Sequence, residues 1–241
     1  VGYGVQKKRD VTGAIVSVTE DNFTQGPNQN AAQLINGRAP GVNVSQSSSA
    51  PGGSTKVQIR GANSINGNND VLYVVDGLPS VSIVDLSPED ITSIEVLKDA
   101  SASAIYGTRA ANGVVLITTK SGAKEKSELR YSAYYGIQSV AKRIGVLNGS
   151  QYMNLLNDLR LASGREPVYS ADEISAVGEG TNWQDEIFKR SAPVTNHQLS
   201  MSGGTDKGTY YVGLNYFGQD GLVKESDFRK FNVRTNVSFA P

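Results

Sequence analysis

The chain contains no cysteine and only one histidine among its 241 residues. Without cysteine it has no disulfide, no thiolate nucleophile and no cysteine-based zinc site. His197 lies within a strand pattern, and a Ser-His-Asp triad would have to use it. The phosphate-binding loop G-x-x-x-x-G-K-[ST], the metalloprotease motif H-E-x-x-H and the G-x-S-x-G elbow are also missing. We therefore expect a protein that is not an enzyme and has no catalytic residue, metal site or cofactor.

Charge of one sign and long apolar runs are lacking as well. The 23 basic side chains are matched by 23 acidic ones, and both halves of the chain keep this balance, so no nucleic-acid partner is expected. Apolar runs such as VLYVV and GVVLI fall far short of the roughly 18 residues that a membrane-spanning helix needs. Any segment that spans a membrane would have to be a strand of a β-barrel.

Short strands and turns dominate the first half of the chain. Asn-Gly pairs are frequent, and they are strong turn signals. NQNAAQLINGRAPG predicts a short helix capped near Asn28 or Asn30 and ended at Gly37, and Ser87-Pro88 predicts a second helix start. We interpret residues 1–122 as a small mixed α+β domain. Its predicted strands are GAIVSV, GVNVSQ, TKVQIRG, VLYVVDG, IEVL and GVVLITTK.

Longer segments with period-two alternation follow the linker SGAKEKSE. In FRKFNVRTNVSF, one face carries Phe231, Val233, Val237 and Phe239, while the alternate positions are polar. A helical insertion separates the first long strand from the next, with helices capped by Ser150 and Ser170 and a third short helix in NWQDEIFKR. Alternation of this kind fits a transmembrane barrel or a soluble antiparallel sandwich, and by itself does not choose between them.

Arg109 lies in IEVLKDASASAIYGTRAANGVVLITTKSG, between two apolar strands. At this place we expect little solvent. A guanidinium group does not lose its proton, so a buried Arg109 would require carboxylates or carbonyls around it.

The order of these motifs resembles that of the TonB-dependent outer-membrane transporters, in the SusC/RagA-like branch that imports glycans or peptides. The resemblance is carried by VGYGVQKKRDVTGAIVSV, by AAQLINGRAPGVNVSQSSSAPGGSTKVQIRGANSINGNNDVLYVVDGLP, by LSPEDITSIEVLKDASASAIYGTRAANGVVLITTKSG and by NWQDEIFKRSAPVTNHQLSMSGGTDKGTYYVGLNYFGQDGLV. It implies an α+β plug domain in residues 1–122, followed by the start of an antiparallel transmembrane β-barrel in residues 123–241. These last residues suffice for about four of the roughly 22 strands of a plugged barrel.

The resemblance also implies which residues hold the plug. In the family two plug arginines meet glutamates of the barrel wall, and here they match Arg60 and Arg109, whose partners would lie on later strands. The alternative is that Glu95 or strand-end carbonyls satisfy these arginines within the plug. The Gly/Asn loop and the segment 45–54 are ligand-facing candidates or, equally, solvated turns. The candidates in that loop are Asn63, Asn66, Asn68, Asn69 and Asp70.

The implied function is TonB-dependent import of a glycan or oligopeptide across the outer membrane of a Gram-negative bacterium, with the plug as the gate on the periplasmic and lumen side. The implied partners are a SusD-like surface lipoprotein, outer-membrane lipid, and TonB with ExbB and ExbD, which would pull on a segment upstream of Val1. Two other functions remain open at this point. One is an outer-membrane signalling receptor without transport, and the other is a soluble carbohydrate-binding or hydrolytic α+β protein.

Overall fold

The computed structural model describes residues 15–24, 26–61, 69–80, 82–99, 104–125 and 127–239. The chain divides into two compact units. The first comprises Val1–Gly136, Val194–Asp220 and Asp227–Pro241, and the second comprises Ile137–Pro193 and Gly221–Ser226.

Among the described residues of the first unit, seven short strands precede residue 122. Five of them form a sheet in the order β1-β6-β7-β4-β5, and β2 and β3 form a separate hairpin. Only the β4–β7 pair of the five-stranded sheet is parallel. The predicted strands are confirmed, and β5 is an additional one that the sequence pattern did not indicate. The bounds are β1 Ile15–Thr19, β2 Val42–Gln46, β3 Thr55–Ile59, β4 Leu72–Val75, β5 Leu78–Ser80, β6 Ile91–Leu97 and β7 Val114–Thr119.

The core of this region is built from β-branched and aliphatic residues that alternate along the strands. They pack against a 3-10 helix, Ala31–Ile35, whose start is fixed by Asn30, since its side chain accepts the N–H groups of Ala32 and Gln33. The predicted cap at Asn30 is thus confirmed. The buried cluster includes Val18, Ile35, Val57, Ile59, Ile91, Ile94, Val96, Val115 and Ile117.

The helix predicted to begin at Ser87 is only a 3-10 turn, Pro88–Asp90, which β6 follows directly. The helix stops after three residues because the following Ile-Thr-Ser-Ile-Glu-Val favours a pleated, half-buried strand. The Ser87 side chain makes no bond to the backbone of this turn and instead donates to the carboxylate of Glu89 at 2.8 Å.

Four long strands form a second, fully antiparallel sheet in the order β11-β10-β9-β8. Their bounds are β8 Glu128–Gln138, β9 Ala192–Thr205, β10 Gly208–Asp220 and β11 Asp227–Phe239. The face that carries Gln198, Tyr211 and Phe217 is buried, and we call it the inner face. The outer face exposes large apolar side chains, among them Leu199, Met201, Leu214, Phe231 and Val233. The alternation predicted in FRKFNVRTNVSF is therefore confirmed as a strand with two chemically different faces.

The second unit holds the helical insertion between β8 and β9. Its helices are α1 Gly149–Ala162, α2 Ala171–Val177 and α3 Trp183–Ile187. Ser170 caps α2 as predicted, whereas α1 is capped by Asn148 and not by Ser150. The Asn148 side chain accepts the Gln151 N–H at 2.8 Å, and Ser150 only donates to that same asparagine side chain. Within the described residues, no helix combines the length and apolarity needed to cross a membrane.

Candidate functional site

The segment between β5 and β6, residues 82–90, lies on the inner face of the four-stranded sheet, and we call it the docking segment. Its backbone carbonyls accept hydrogen bonds from β11. Lys230 Nζ donates to the carbonyl of Val84 at 2.5 Å, and the Asn232 amide donates to the carbonyl of Asp85. Long polar side chains of the sheet thus bind a loop backbone that the five-stranded sheet leaves unpaired.

Asp90, at the end of the docking segment, is the centre of a buried hydrogen-bond network. Its carboxylate is 2% exposed and accepts from Gln198 Nε2 at 2.9 Å and from the Tyr211 hydroxyl at 2.7 Å. The neighbouring Glu89 accepts from the Asn196 amide. Removing a carboxylate from water is costly unless donors replace its hydration, so the donors of β9 and β10 are what allow Asp90 to be buried here.

A second polar cluster joins the turn after β4 to β11. Arg234 Nη2 donates to Asp76 Oδ2 at 2.6 Å and to Thr119 Oγ1 at 2.7 Å. Asp76 also accepts the Thr119 N–H at 2.8 Å and its hydroxyl at 2.6 Å. Asp76 adopts a left-handed backbone, with φ 49°, a conformation that short polar side chains tolerate better than others. The turn thereby aims one carboxylate at both β7 and the inner face.

Among the described residues, two buried side-chain atoms lack a hydrogen-bond partner, namely Gln198 Oε1 and Arg234 Nε. Both belong to residues that bind across this interface. A buried polar atom without a partner costs about 1–3 kcal/mol. The interface is therefore polar and specific, but it is held together less tightly than a fully satisfied network would be.

A third contact involves the tip of the β2–β3 hairpin. Gln29 accepts the Gly52 N–H at 3.2 Å, and its amide nitrogen donates to Gln219 on β10. Gly52 has φ 73° and lies against the ring of Phe228, so close that an added Cβ would clash with the ring. The hairpin tip is thus seated on an aromatic side chain of β11.

A polar cavity of about 270 Å³ that is partly open to solvent is lined by residues of both sheets and of the segments that follow them. One wall is formed by Thr92, Lys120 and Ser121. The opposite wall consists of Glu128, Arg130, Ser200, Ser202 and Tyr211. A cavity of this size and polarity has room and hydrogen-bond partners for water.

Arg60, a residue predicted to lock the plug, lies at the end of β3 and pairs with Asp99 at 2.5 Å. The alternative partners within this region were Glu95 or strand-end carbonyls, and the carboxylate that Arg60 contacts is that of Asp99; a role for Glu95 remains a prediction. Glu95 lies in the middle of β6, opposite Ser17 of β1, whereas Asp99 follows the end of β6 and is therefore nearer to the end of β3.

Arg109 is exposed, contrary to the expectation that little solvent surrounds it. It lies in the segment Ala104–Ala110, which Gly107 interrupts with φ 65°, and it is the next residue, Ala110, that is buried. Its side chain forms no hydrogen bond or ion pair with another described residue. Whether either arginine meets a carboxylate of a later strand remains a prediction.

The predicted ligand-facing loop is described only in part. Asn63, Asn66 and Asn68 lie outside the described residues. Asn69 and Asp70 lie just before β4, where the carbonyl of Asp70 accepts from Asn112 at 3.3 Å and its carboxylate is 3.8 Å from Lys56 Nζ. Their role toward a ligand remains a prediction.

Sequence reasoning missed the residues that carry most of the interface, which are Asp76, Asp90, Gln198, Tyr211 and Arg234. Asp76-Gly77 resembles an ordinary turn, and Glu89-Asp90 resembles the first turn of a helix. A usable signal was present in β11, where Lys230, Asn232 and Arg234 alternate with apolar residues. An uninterrupted row of large polar side chains on one face indicates a polar partner for that face.

Comparison with known proteins places this architecture in a family. The family model described as TonB-dependent Receptor Plug Domain matches residues 7–114, within the region interpreted as the α+β plug. The chain is 42% identical over 238 residues to TonB-dependent receptor P3 of Formosa agariphila. This match covers 98% of the present chain and 22% of the relative. The chain is 37% identical over 250 residues to TonB-dependent receptor SusC of Bacteroides thetaiotaomicron, covering 99% of this chain and 24% of SusC. The chain thus spans about a quarter of the length of these relatives.

A solved structure is similar to nearly the whole chain. The RagAB peptide importer in the 'open-open' state superposes with a TM-score of 0.83 at 28% identity, covering 98% of this chain and 29% of the matched chain. The α+β content expected of the plug is confirmed by the five-stranded sheet and its 3-10 helices. The chain therefore belongs to the TonB-dependent receptor family, in its SusC/RagA-like branch, and residues 7–114 carry the plug domain of that family.

Proposed function

We propose that this chain is the N-terminal part of an outer-membrane importer, with residues 1–122 as the plug and residues 123–241 as the first part of the β-barrel wall. The imported nutrient would be a glycan or an oligopeptide, and the plug would act as its gate. The observation that carries the proposal is the opposite chemistry of the two faces of β9–β11. The inner face binds the plug through polar side chains, and the outer face is apolar.

The outer face has the pattern that lipid requires. Cross-strand rows on this face are mostly apolar, with His197 and Thr235 as polar members, and hydrocarbon would cover their exposed side chains. The strands of 13 and 14 residues exceed the about 9–11 residues that a tilted transmembrane strand needs. The rows are Tyr216 with His197 and Phe231, Leu214 with Leu199 and Val233, and Val212 with Met201 and Thr235.

Aromatic side chains border this apolar band at one end. His197 stacks between Tyr131 and Tyr216, with ring centroids 6.3 and 6.4 Å apart, and the Tyr131 hydroxyl lies 2.9 Å from His197 Nδ1. Aromatic residues with a polar tip are favoured where hydrocarbon meets the headgroups. We assign this row to one membrane interface.

The connections between strands suggest which side faces the periplasm. β9 and β10 are joined by the turn Asp206–Lys207, whereas residues 139–191 connect β8 to β9. Outer-membrane barrels have short periplasmic turns and longer extracellular loops. The strand ends from which the β8–β9 connection leaves would accordingly be extracellular, and the β9–β10 turn would be periplasmic.

A polar plug interface suits a gate. Hydrogen bonds to side chains are individually modest, about 0.5–1.5 kcal/mol net, and water replaces them when they open. A pulling force can therefore break these hydrogen bonds between the docking segment and β9–β11 one at a time, because water replaces each of them. Arg60 and the exposed Arg109 are proposed to add to this interface by meeting carboxylates elsewhere in the wall.

The partners follow from the branch of the family. RagAB is named a peptide importer, and SusC is named a TonB-dependent receptor. For the present chain we propose two partners. One is a SusD-like surface lipoprotein that covers the cargo, and the other is TonB with ExbB and ExbD, which would exert the pulling force on the plug.

The deciding experiment is uptake by cells that produce the complete protein. We expect it in the outer-membrane fraction and expect accumulation of a labelled oligosaccharide or oligopeptide that stops when TonB is deleted. Cargo-dependent transcription without accumulation would favour a signalling receptor. A water-soluble protein that binds or cleaves glycan unaided would overturn the proposal in favour of the soluble alternative.

A further inference from the structure

The link between β7 and β8, residues 121–125, is pressed against the β9–β10 ladder, and we call this contact the junction. A Cβ added to Gly122 would lie closer than 3.0 Å to the carbonyl oxygens of Gly203 and Tyr210 and to the Tyr210 nitrogen. Gly203 and Tyr210 are partners in the ladder. Backbone atoms of a paired ladder cannot move aside as the end of a side chain can, so only glycine fits at position 122.

The same junction has a second set of backbone contacts. The Glu125 N–H donates to the Gly204 carbonyl at 3.0 Å, and a Cβ on Gly204 would lie 3.0 Å from the carbonyl oxygen of Ala123. Glu125 adopts φ 55°, a conformation that is unfavourable for residues other than glycine, asparagine and aspartate. The contacts of Gly122, Ala123 and Glu125 with the ladder, which hold the link in an unusual backbone conformation, therefore involve backbone atoms on both sides.

The docking segment is held in a different way. Its bonds come from the ends of long side chains of the wall, such as Lys230, Asn232 and Gln198. The polar cavity of about 270 Å³ is lined by Tyr211, whose hydroxyl binds Asp90 of this segment, and by Ser121 at the edge of the junction. One part of the interface can therefore open bond by bond into water, whereas the junction can open only as a unit.

We propose that the junction is a fixed pivot. When the gate opens, residues 121–125 stay on β9–β10 while the docking segment leaves the inner face. This inference rests on the proposed gating function of the plug.

Two cross-links test the pivot, because the 241 residues contain no cysteine of their own. Both are made in the complete importer with a short bis-maleimide. The first joins Asp85→Cys to Asn232→Cys and ties the docking segment to β11. The second joins Lys124→Cys to Asp206→Cys and ties the junction together. Lys124 and Asp206 lie 3.9 Å apart and are exposed. We expect the first cross-link to abolish import and the second to leave it unchanged.

The other outcomes are distinguishable. If each of the two cross-links abolishes import, the pivot proposal is wrong, but the gating proposal is still supported. Unchanged import with both shows that the plug does not separate from this wall, and then the gating proposal itself fails. Absence of TonB-dependent uptake in the parent protein counts against the proposed function before either cross-link is made.

Three glycine substitutions test the junction without a chemical cross-linker. Gly122→Ala would force the link off the ladder, and we expect much faster hydrogen exchange at the Glu125 amide together with leakage of large antibiotics. Gly203→Ala meets mainly the hydroxyl end of Tyr210, a side chain that can rotate, so its effect should be smaller. Gly145→Ala, with nothing within 4 Å, is the control. If hydrogen exchange at the Glu125 amide is unchanged in Gly122→Ala, the close backbone contact at the junction does not hold the link on the ladder, and the pivot proposal is wrong.

Discussion

Arg234 on the inner face of β11 and Asp76 in the turn after β4 are joined by a 2.6 Å ion pair, although they lie 158 positions apart in the sequence. Arg234 also reaches Thr119, which in turn binds Asp76. The pair therefore connects two strands of the plug sheet to the second sheet through one guanidinium. The acidic partner lies in the plug domain and the basic partner lies on β11, whereas the family resemblance implied basic plug residues, Arg60 and Arg109, with acidic partners on later strands.

Loss of this pair should loosen the plug. The side chains are 24% and 33% exposed, so solvent screens part of the attraction, and we expect Asp76→Asn to cost about 1 kcal/mol or somewhat more. The measurement is the sensitivity of cells to antibiotics too large for intact outer membrane. Arg229→Ala is the control. Arg229 lies on β11, as Arg234 does, but its carboxylate neighbour Asp227 is also on β11, so this pair does not connect the two sheets. Equal sensitivity in both variants would contradict the role of the pair.

The Asp90 network gives a sharper prediction because it is buried. Asp90→Ala leaves Gln198 and Tyr211 without their acceptor, whereas Tyr211→Phe removes only one donor. We expect both to lower the free energy of unfolding, Tyr211→Phe by about 1–3 kcal/mol and Asp90→Ala by more. Tyr216→Phe, on the outer face of the same strand, is the matched control. Chemical denaturation of the purified receptor in detergent measures all three, and a Tyr211→Phe value no larger than the control would argue against a buried network.

The hairpin tip can be tested with two glycines of the same backbone conformation. Gly41 has φ 72° with nothing within 4 Å, and Gly52 has φ 73° with the Phe228 ring against it. Gly41→Ala should cost only the left-handed strain of about 1–2 kcal/mol, and Gly52→Ala should cost that amount plus the loss of contact with β11. Phe228→Leu in the Gly52→Ala background should recover part of the difference. If the two alanine variants are equally stable by thermal denaturation, the tip is not seated on the ring.

The helix caps offer a prediction within the second unit. Asn148→Ala removes the side chain that accepts the Gln151 N–H, whereas the Gln151 side chain can still accept the backbone N–H of residue 148. The change should cost about 0.5–2 kcal/mol of local stability. Ser150→Ala removes a hydroxyl that binds no backbone N–H and should cost little. Hydrogen exchange over Gly149–Ala162 measures both variants. A larger effect of Ser150→Ala than of Asn148→Ala would support the sequence-based prediction that Ser150 is the cap.

The parts of the fold that sequence predicted depend on local patterns. Strand β11 was predictable because period-two alternation of Phe231, Val233 and Val237 is contained in a single segment, and the cap at Ser170 because serine with glutamate three residues later is a local signature. The interface was not predictable from such patterns, since Lys230 binds the Val84 carbonyl 146 positions away. Arg109 was expected to be buried from its apolar flanks, but the glycine at 107 turns the chain so that Ala110 is buried in its place.

Tyr73 on β4 should make the plug sensitive to high pH. Burial raises the pKa of Tyr73 to about 12, and the charge of Asp70 is the second cause. In an unfolded chain the tyrosine pKa is about 10. Because the folded pKa is the higher one, this contribution to stability is complete below about pH 10 and is lost as the pH rises through about 12. We expect the free energy of unfolding of the purified receptor to fall more steeply in this window than that of Tyr73→Phe. Tyr135→Phe removes an exposed tyrosine and should keep the steep fall, and the same slope in Tyr73→Phe and the parent protein would show that Tyr73 does not cause it.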